Sequence, residues 1–233
     1  MKPSTQAPIT REVRIPCGQT WLYGDLALPE RFHGVVLFVH GSGSGRHSAR
    51  NRQVAFKLQE AGIATLLFDL LTVQEEQTDV RTREHRFDIA LLTSRLQQAT
   101  DWATAQPELR QAPIGYFGAS TGSAAALISA ARLGRQIAAI VSRGGRADLA
   151  GPVALAAVTA PTLLIVGGAD EGVIDLNEQA FGHLHCAKEL AIVPGATHLF
   201  EERGALERVA ELAAAWFTTH LGGNKPIGPA GPE

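Results

Sequence analysis

A chain of 233 residues with 45% hydrophobic and 19% charged residues has the make-up of one large soluble α/β domain, long enough to bury a full core without staples. Its formal charge of −2 gives no electrostatic reason to seek nucleic acid. No run approaches the roughly 20 apolar residues of a membrane span, and Met1–Gln6 lacks the apolar core of a signal peptide, so a cytoplasmic protein with no membrane partner is expected. Cys17 and Cys186 stand far apart with no metal-ligand spacing, which favours free thiols over a disulfide framework or a zinc site.

From Ile9 to Leu28 the apolar beats Val13, Ile15, Trp21 and Leu26 alternate loosely around Pro16-Cys17-Gly18-Gln19, the pattern of an antiparallel hairpin at a sheet edge. The character then changes. Continuous apolar runs at Val35–Val39, Ala64–Phe68, Ile114–Phe117, Ile137–Val141, Thr162–Val166 and Leu190–Val193 suit parallel strands covered on both faces. Helical spacing fills the intervals 49–61, 86–105, 120–133, 173–184 and 203–221. Strand and helix therefore alternate, which predicts a doubly wound, mostly parallel sheet of about eight strands with helices on both faces. Residues 1–221 are read as one α/β domain, and the Gly- and Pro-rich residues 222–233 as a disordered tail.

Open sheets of this type place their chemistry at the carboxyl ends of their strands. The residues there are polar: His40 to Gly45, Asp69, Ser120, Ser142 to Gly145, Gly168 to Glu171, and Gly195 to His198. Within Gly118-Ala119-Ser120-Thr121-Gly122, Ser120 falls on a strand-to-helix turn, where flanking glycines remove the Cβ atoms that would clash as strand and helix close. A serine hydroxyl is a poor nucleophile until a base takes its proton, and a histidine serves only if an acid holds its other ring nitrogen. Ser120, Asp170 and His198 each follow a predicted strand in the order nucleophile, acid, base. Asp148 is a second possible acid, Asp69 reads as a structural carboxylate, and His183 and His185 stand too far past Asp170 to displace His198.

A developing oxyanion needs two donors, for which the backbone N–H groups of Thr121 and Ser42 are the candidates. The loop Gly41-Ser42-Gly43-Ser44-Gly45-Arg46 also invites reading as a phosphate cradle, but it lacks the spacing and the Lys-Ser/Thr pair of a nucleotide-binding loop. His40, Gly41 and Arg143 are candidates for substrate contact. Arg143 and Arg146 carry planar forks suited to a carboxylate, though an ion pair within the fold is the preferred reading for both. In the polar stretch from Thr72 to Glu84 and just beyond it, Arg81, Arg83, His85 and Arg86 read as an exposed helix start; Leu71 and Phe87 could border the pocket.

Together, His40-Gly41-Ser42-Gly43, the elbow Gly118–Gly122, Gly167-Gly168-Ala169-Asp170 and Gly195-Ala196-Thr197-His198 resemble the α/β-hydrolase superfamily, and within it the small dienelactone-hydrolase-like group, over roughly Val35 to Leu221. The resemblance implies Ser120 as nucleophile, Asp170 as acid and His198 as base, cleaving esters through an acyl-enzyme without a cofactor. True dienelactone hydrolases resemble this chain but use cysteine at the elbow, and the serine here points to general ester hydrolysis instead. Only about twenty residues, Arg143 to Pro161, stand where many relatives insert a lid, so an open site for small, short-acyl esters is expected. Thioester or amide cleavage would use the same residues, and a non-catalytic binding domain on this scaffold is the reading from a different class.

Overall fold

The computed structural model describes residues 7–223 and 226–228. One eight-stranded sheet runs through it in the order β1-β2-β4-β3-β5-β6-β7-β8. β1 (Ile9–Cys17) and β2 (Thr20–Leu28) form the expected edge hairpin, and β2 lies antiparallel on β4 (Ala64–Phe68). From β4 onward every pairing is parallel: β3 (Val35–Val39), β5 (Ile114–Ala119), β6 (Ile137–Arg143), β7 (Thr162–Gly167) and β8 (Lys188–Val193). Every residue of β3, β4 and β5 is buried, which is why those runs carry no polar alternation.

Two apolar layers cover the sheet. On one face α3 (Ile89–Ala105), α4 (Thr121–Leu133), α5 (Gly151–Ala157) and α6 (Glu171–His183) pack over Leu37, Leu66, Tyr116 and Leu164. On the other, α1 (Ala49–Glu60) and α7 (Ala205–Leu221) pack over Val36, Phe38, Phe117 and Val141. Tyr116 is the largest buried polar group in the core, and its hydroxyl lies 2.6 Å from Thr100 Oγ1 and 3.3 Å from Ser129 Oγ, so burial leaves it partnered. Cys17 is buried and Cys186 half-buried, both as free thiols. None of the described helices is long and apolar enough to cross a membrane.

The polar stretch after β4 departs from expectation. It contains α2 (Val73–Thr82), started by a reciprocal cap in which Thr72 Oγ1 accepts the Glu75 N–H and the Glu75 carboxylate accepts the Thr72 N–H. The following basic cluster does not begin an exposed helix. Arg86 instead turns its Nε onto the buried Asp79 carboxylate, which also accepts the His85 and Arg86 N–H groups, and α3 begins later on an Asp88 cap. The described part of the tail includes Ile227, which pairs with Phe32 through two main-chain hydrogen bonds of 2.9 and 2.7 Å; the rest of the tail expected to be disordered lies outside the described residues.

Candidate active site

Ser120 joins β5 to α4 with φ 49° and ψ −124°, a backbone conformation that costs an L-residue free energy and persists only where its surroundings enforce it. The enforcement comes from contact. A Cβ on Gly118 would lie 2.6 Å from Ser123 Cα, and one on Gly122 would lie 2.1 Å from the Val39 carbonyl oxygen, so bare backbone is required on both sides of the serine. The Ser120 carbonyl accepts the Arg146 N–H at 3.0 Å, and its N–H points to the Arg143 carbonyl at 3.3 Å. Its hydroxyl is left without a hydrogen-bond partner among the described residues.

Asp170 stands at the N-cap position of α6, yet its side chain makes no capping bond. The carboxylate turns instead to His198, with Oδ2 2.7 Å from Nδ1. That contact fixes the ring so that Nε2 is the free nitrogen. The loop carrying His198 is pinned from several sides: Ala196 O accepts the Ala169 N–H at 2.9 Å, and Glu202 accepts both the N–H and the hydroxyl of Thr197, at 3.1 and 2.6 Å. Phe200 anchors the far end, 1% exposed in the α1/α7 layer and held at φ 56°. Neither Phe200 nor Glu202 stands out in the sequence, since a positive φ at a phenylalanine leaves no local signal. Gly144 packs against the His198 loop: its absent Cβ would come within 3.6 Å of His198 Cε1 and 3.1 Å of its carbonyl oxygen. The residue before Gly144 is Arg143, whose carbonyl faces the Ser120 N–H at 3.3 Å; among the described residues no hydrogen bond joins the Ser120 hydroxyl to His198.

The oxyanion candidates sit beside the elbow. Gly41 packs directly on Ser120, its absent Cβ only 2.8 Å from Ser120 Cβ and 3.6 Å from its Oγ, and Ser42 follows it in the chain. Thr121 opens α4, where the first N–H groups have no helical acceptor. His40 holds this loop in place. Its Nε2 accepts the Leu70 N–H at 3.0 Å and its Nδ1 lies 2.9 Å from Gly41 O, so the ring is neutral with its proton on Nδ1. Burial lowers its pKa, which agrees with that neutral state. With both nitrogens engaged inside the fold, His40 braces the loop rather than offering a ring nitrogen to substrate.

The remaining charged candidates divide. Asp148 is closed on Arg146 through two bonds of 2.9 and 2.8 Å, so the alternative acid is taken and Arg146 has the ion pair expected of it. Asp69 accepts the Arg46 N–H at 2.8 Å, a structural role as anticipated. Arg143 is buried and, contrary to expectation, has no ion-pair partner among the described residues. A cavity of about 680 Å³ opens between the loop after β3 and the loop after β4, bordered by Ser42, Ser44, Arg50, Leu71 and Glu76 among others. Leu71 lines it as expected; Phe87 does not. Between β6 and β7 there is only the seven-residue α5 with a short 3-10 turn before it, so no cap is inserted at that connection.

The sequence model of the dienelactone hydrolase family matches residues 23–220. A crystal structure of a dienelactone hydrolase from Anabaena variabilis is 55% identical and superposes with a TM-score of 0.90 over 92% of this chain and 99% of that one. A lidless α/β serine hydrolase from Xanthomonas campestris shares 21% identity with a TM-score of 0.72 over 96% and 97% of the two chains, a likeness of fold alone. Curated relatives from Mycobacterium tuberculosis that carry a phosphoribosyl transferase name are 54% identical over 217 residues, which is 93% of this chain and 48% of theirs. The chain thus spans about half the length of the curated relatives it matches.

Proposed function

The chain belongs to the dienelactone hydrolase family, and on that footing we propose that it is a serine hydrolase of carboxylic esters with small acyl groups, working through an acyl-enzyme. In this reading Ser120 Oγ attacks the ester carbonyl while His198 Nε2 takes its proton. Asp170 keeps the proton on Nδ1 and offsets the imidazolium charge that develops. The oxyanion is received by the N–H groups of Thr121 and Ser42. The alcohol departs with the proton from His198. Water then repeats the sequence on the acyl-enzyme and frees the acid.

The observation that carries the reading is the 2.7 Å contact of Asp170 with His198, in a chain whose strand-to-helix turn holds a strained, unpartnered Ser120. The open rim favours small soluble substrates, and the 680 Å³ cavity adjoins the Ser42 loop. The transferase name of the curated relatives belongs to proteins about twice as long, and what this chain shares with them is its hydrolase-family half. Turnover of nitrophenyl esters from acetate to long acyl, with thioester and anilide analogues of matched length, tests the proposal. Short esters should be preferred and the rate should fall by roughly 10³-fold or more in Ser120→Ala. Full turnover in that variant, or failure of an organophosphonate to label Ser120 in folded protein, rules the reading out.

A further inference from the structure

Asn177 sits in the middle of α6 with none of its surface exposed. An asparagine is a poor helix former, and burying its amide costs free energy unless the polar atoms are bonded. Its Nδ2 donates to Gly145 O at 2.8 Å and to Val173 O, one turn back on its own helix, also at 2.8 Å. Both neighbours are carbonyl oxygens, so the nitrogen is the end that faces them. Oδ1 is buried with no partner among the described residues. A leucine would favour the helix more and orphan no oxygen, so what the asparagine supplies is the bond to Gly145.

Gly145 belongs to the loop that holds both main-chain groups of Ser120. Arg143 O faces the Ser120 N–H, and the Arg146 N–H donates to Ser120 O. The same loop is pressed against a buried hydroxyl pair: Ser142 Oγ donates to Ser123 Oγ at 2.9 Å, and a Cβ on Gly145 would collide with both oxygens. Ser123 lies in the first turn of α4, where its own N–H reaches Ser120 O at 3.1 Å. From the side of α6, Asn177 stands about two helical turns beyond Asp170, whose carbonyl accepts the Val173 and Ile174 N–H groups at 2.9 and 3.0 Å. One amide thus joins the loop behind Ser120 to the helix that starts at Asp170.

We propose that Asn177 is a positioning residue for the hydrolytic reaction: its amide fixes the Ser120 elbow relative to the Asp170–His198 pair, so that hydroxyl and imidazole keep one alignment. The inference rests on the reading of Ser120 as nucleophile and Asp170 as acid. Fully buried, Asn177 touches no substrate and acts through Gly145, so its loss should slow the attack and leave substrate binding unchanged. Gly145 is buried as well, and without the amide its carbonyl loses that donor, which frees the loop to shift toward any other N–H or water within reach.

The test compares Asn177→Leu and Asn177→Ala with the wild type, each measured well below its own Tm. The maximal rate at which an organophosphonate labels Ser120 should fall roughly 10- to 100-fold, with the half-saturating concentration within about 2-fold of the wild type, and kcat/KM for nitrophenyl acetate should fall in step. In an Asp170→Asn background the same substitutions should cost less than about 3-fold in kcat/KM, because the alignment they disturb no longer serves a working pair. A support of the fold with no part in that alignment would cost the same factor in both backgrounds. Equal factors, or variants that are attacked by the phosphonate at the wild-type rate, overturn the proposal whatever their Tm. If Asn177→Leu does not fold, Asn177→Ala decides; failure of both to fold makes the amide a requirement of the fold and overturns the proposal too. A wild type that neither cleaves esters nor labels at Ser120 removes the nucleophile reading and this inference with it, whereas one that does both while the variants match it removes this inference alone.

Discussion

Asp170 occupies the helix-capping position of α6, and its carboxylate caps nothing: Oδ2 points to His198 Nδ1 at 2.7 Å. Asparagine at that position keeps the size of the side chain and remains a favourable N-cap residue, but it offers an amide where the imidazole needs an acceptor and a negative charge. Asp170→Asn should therefore reduce kcat by about 10³- to 10⁴-fold with little change in Tm. Steady-state ester hydrolysis beside a thermal melt checks both halves. An active Asp170→Asn enzyme would remove Asp170 from the mechanism.

Ser120 is one of three described non-glycine residues with positive φ, and its hydroxyl has no partner that would repay the strain. Glycine adopts such a conformation without the Cβ penalty. Two inactive variants should then differ in stability: Ser120→Gly should be the more stable, and Ser120→Ala, which keeps a Cβ, should resemble the wild type. The strain relieved is about 1–3 kcal/mol, offset in part by the extra chain entropy of glycine. Denaturant titrations of the pair give the comparison, and equal midpoints would mean that the elbow holds no strain.

Gly167 closes β7 against the loop of His198. A Cβ there would meet the Ala196 carbonyl oxygen at 2.3 Å and that of Thr197 at 2.7 Å, both main-chain atoms that cannot swing aside. Gly167→Ala should cost about 1–3 kcal/mol or more through overpacking, and should lower kcat by at least roughly 10-fold because the loop that retreats carries the base. Activity is to be measured well below the variant's own Tm. A destabilised but fully active variant would show that the loop yields without moving His198.

His40 gives the stability a pH dependence of known sign. Its folded pKa lies below the ordinary 6.5 because burial disfavours the charged ring. The unfolded chain takes up a proton below pH 6.5 where the native state does not, so the contribution is complete above pH 6.5 and is lost as pH falls toward the folded value. Burial lowers His220 as well, adding an effect of the same sign. His40→Gln should flatten the slope of Tm between pH 5 and 6.5 relative to the wild type, a comparison in which His220 cancels. Parallel slopes would place the proton uptake elsewhere.

The sequence showed most of what lies along the chain. The apolar runs marked β3, β4 and β5, because strands covered on both faces leave no polar residue to obscure them, and they marked the apolar part of the half-exposed edge strand β8. Helix α2 escaped, since its residues are mostly polar, although Thr72 and Glu75 carried a capping signature that could have revealed it. Arg143 and Arg146 looked alike three positions apart. One found Asp148 and the other found no partner, because a strand end and the loop after it point their side chains into different surroundings.

Local chemistry thus fixed the elbow: a serine between glycines, after an apolar run and before a helix former, has few backbone options, and those options follow from sterics within a few residues. It also set the order of the candidate nucleophile, acid and base along the chain. Which groups meet was decided only by the tertiary structure. The order in which strands pair, the turn of Asp170 toward a histidine 28 residues away, the burial of Phe200 beneath that histidine's loop and the isolation of Arg143 all depend on contacts between distant segments. Such contacts form because close packing and the pairing of buried polar groups are satisfied over the whole molecule at once, a condition that no short window of residues expresses.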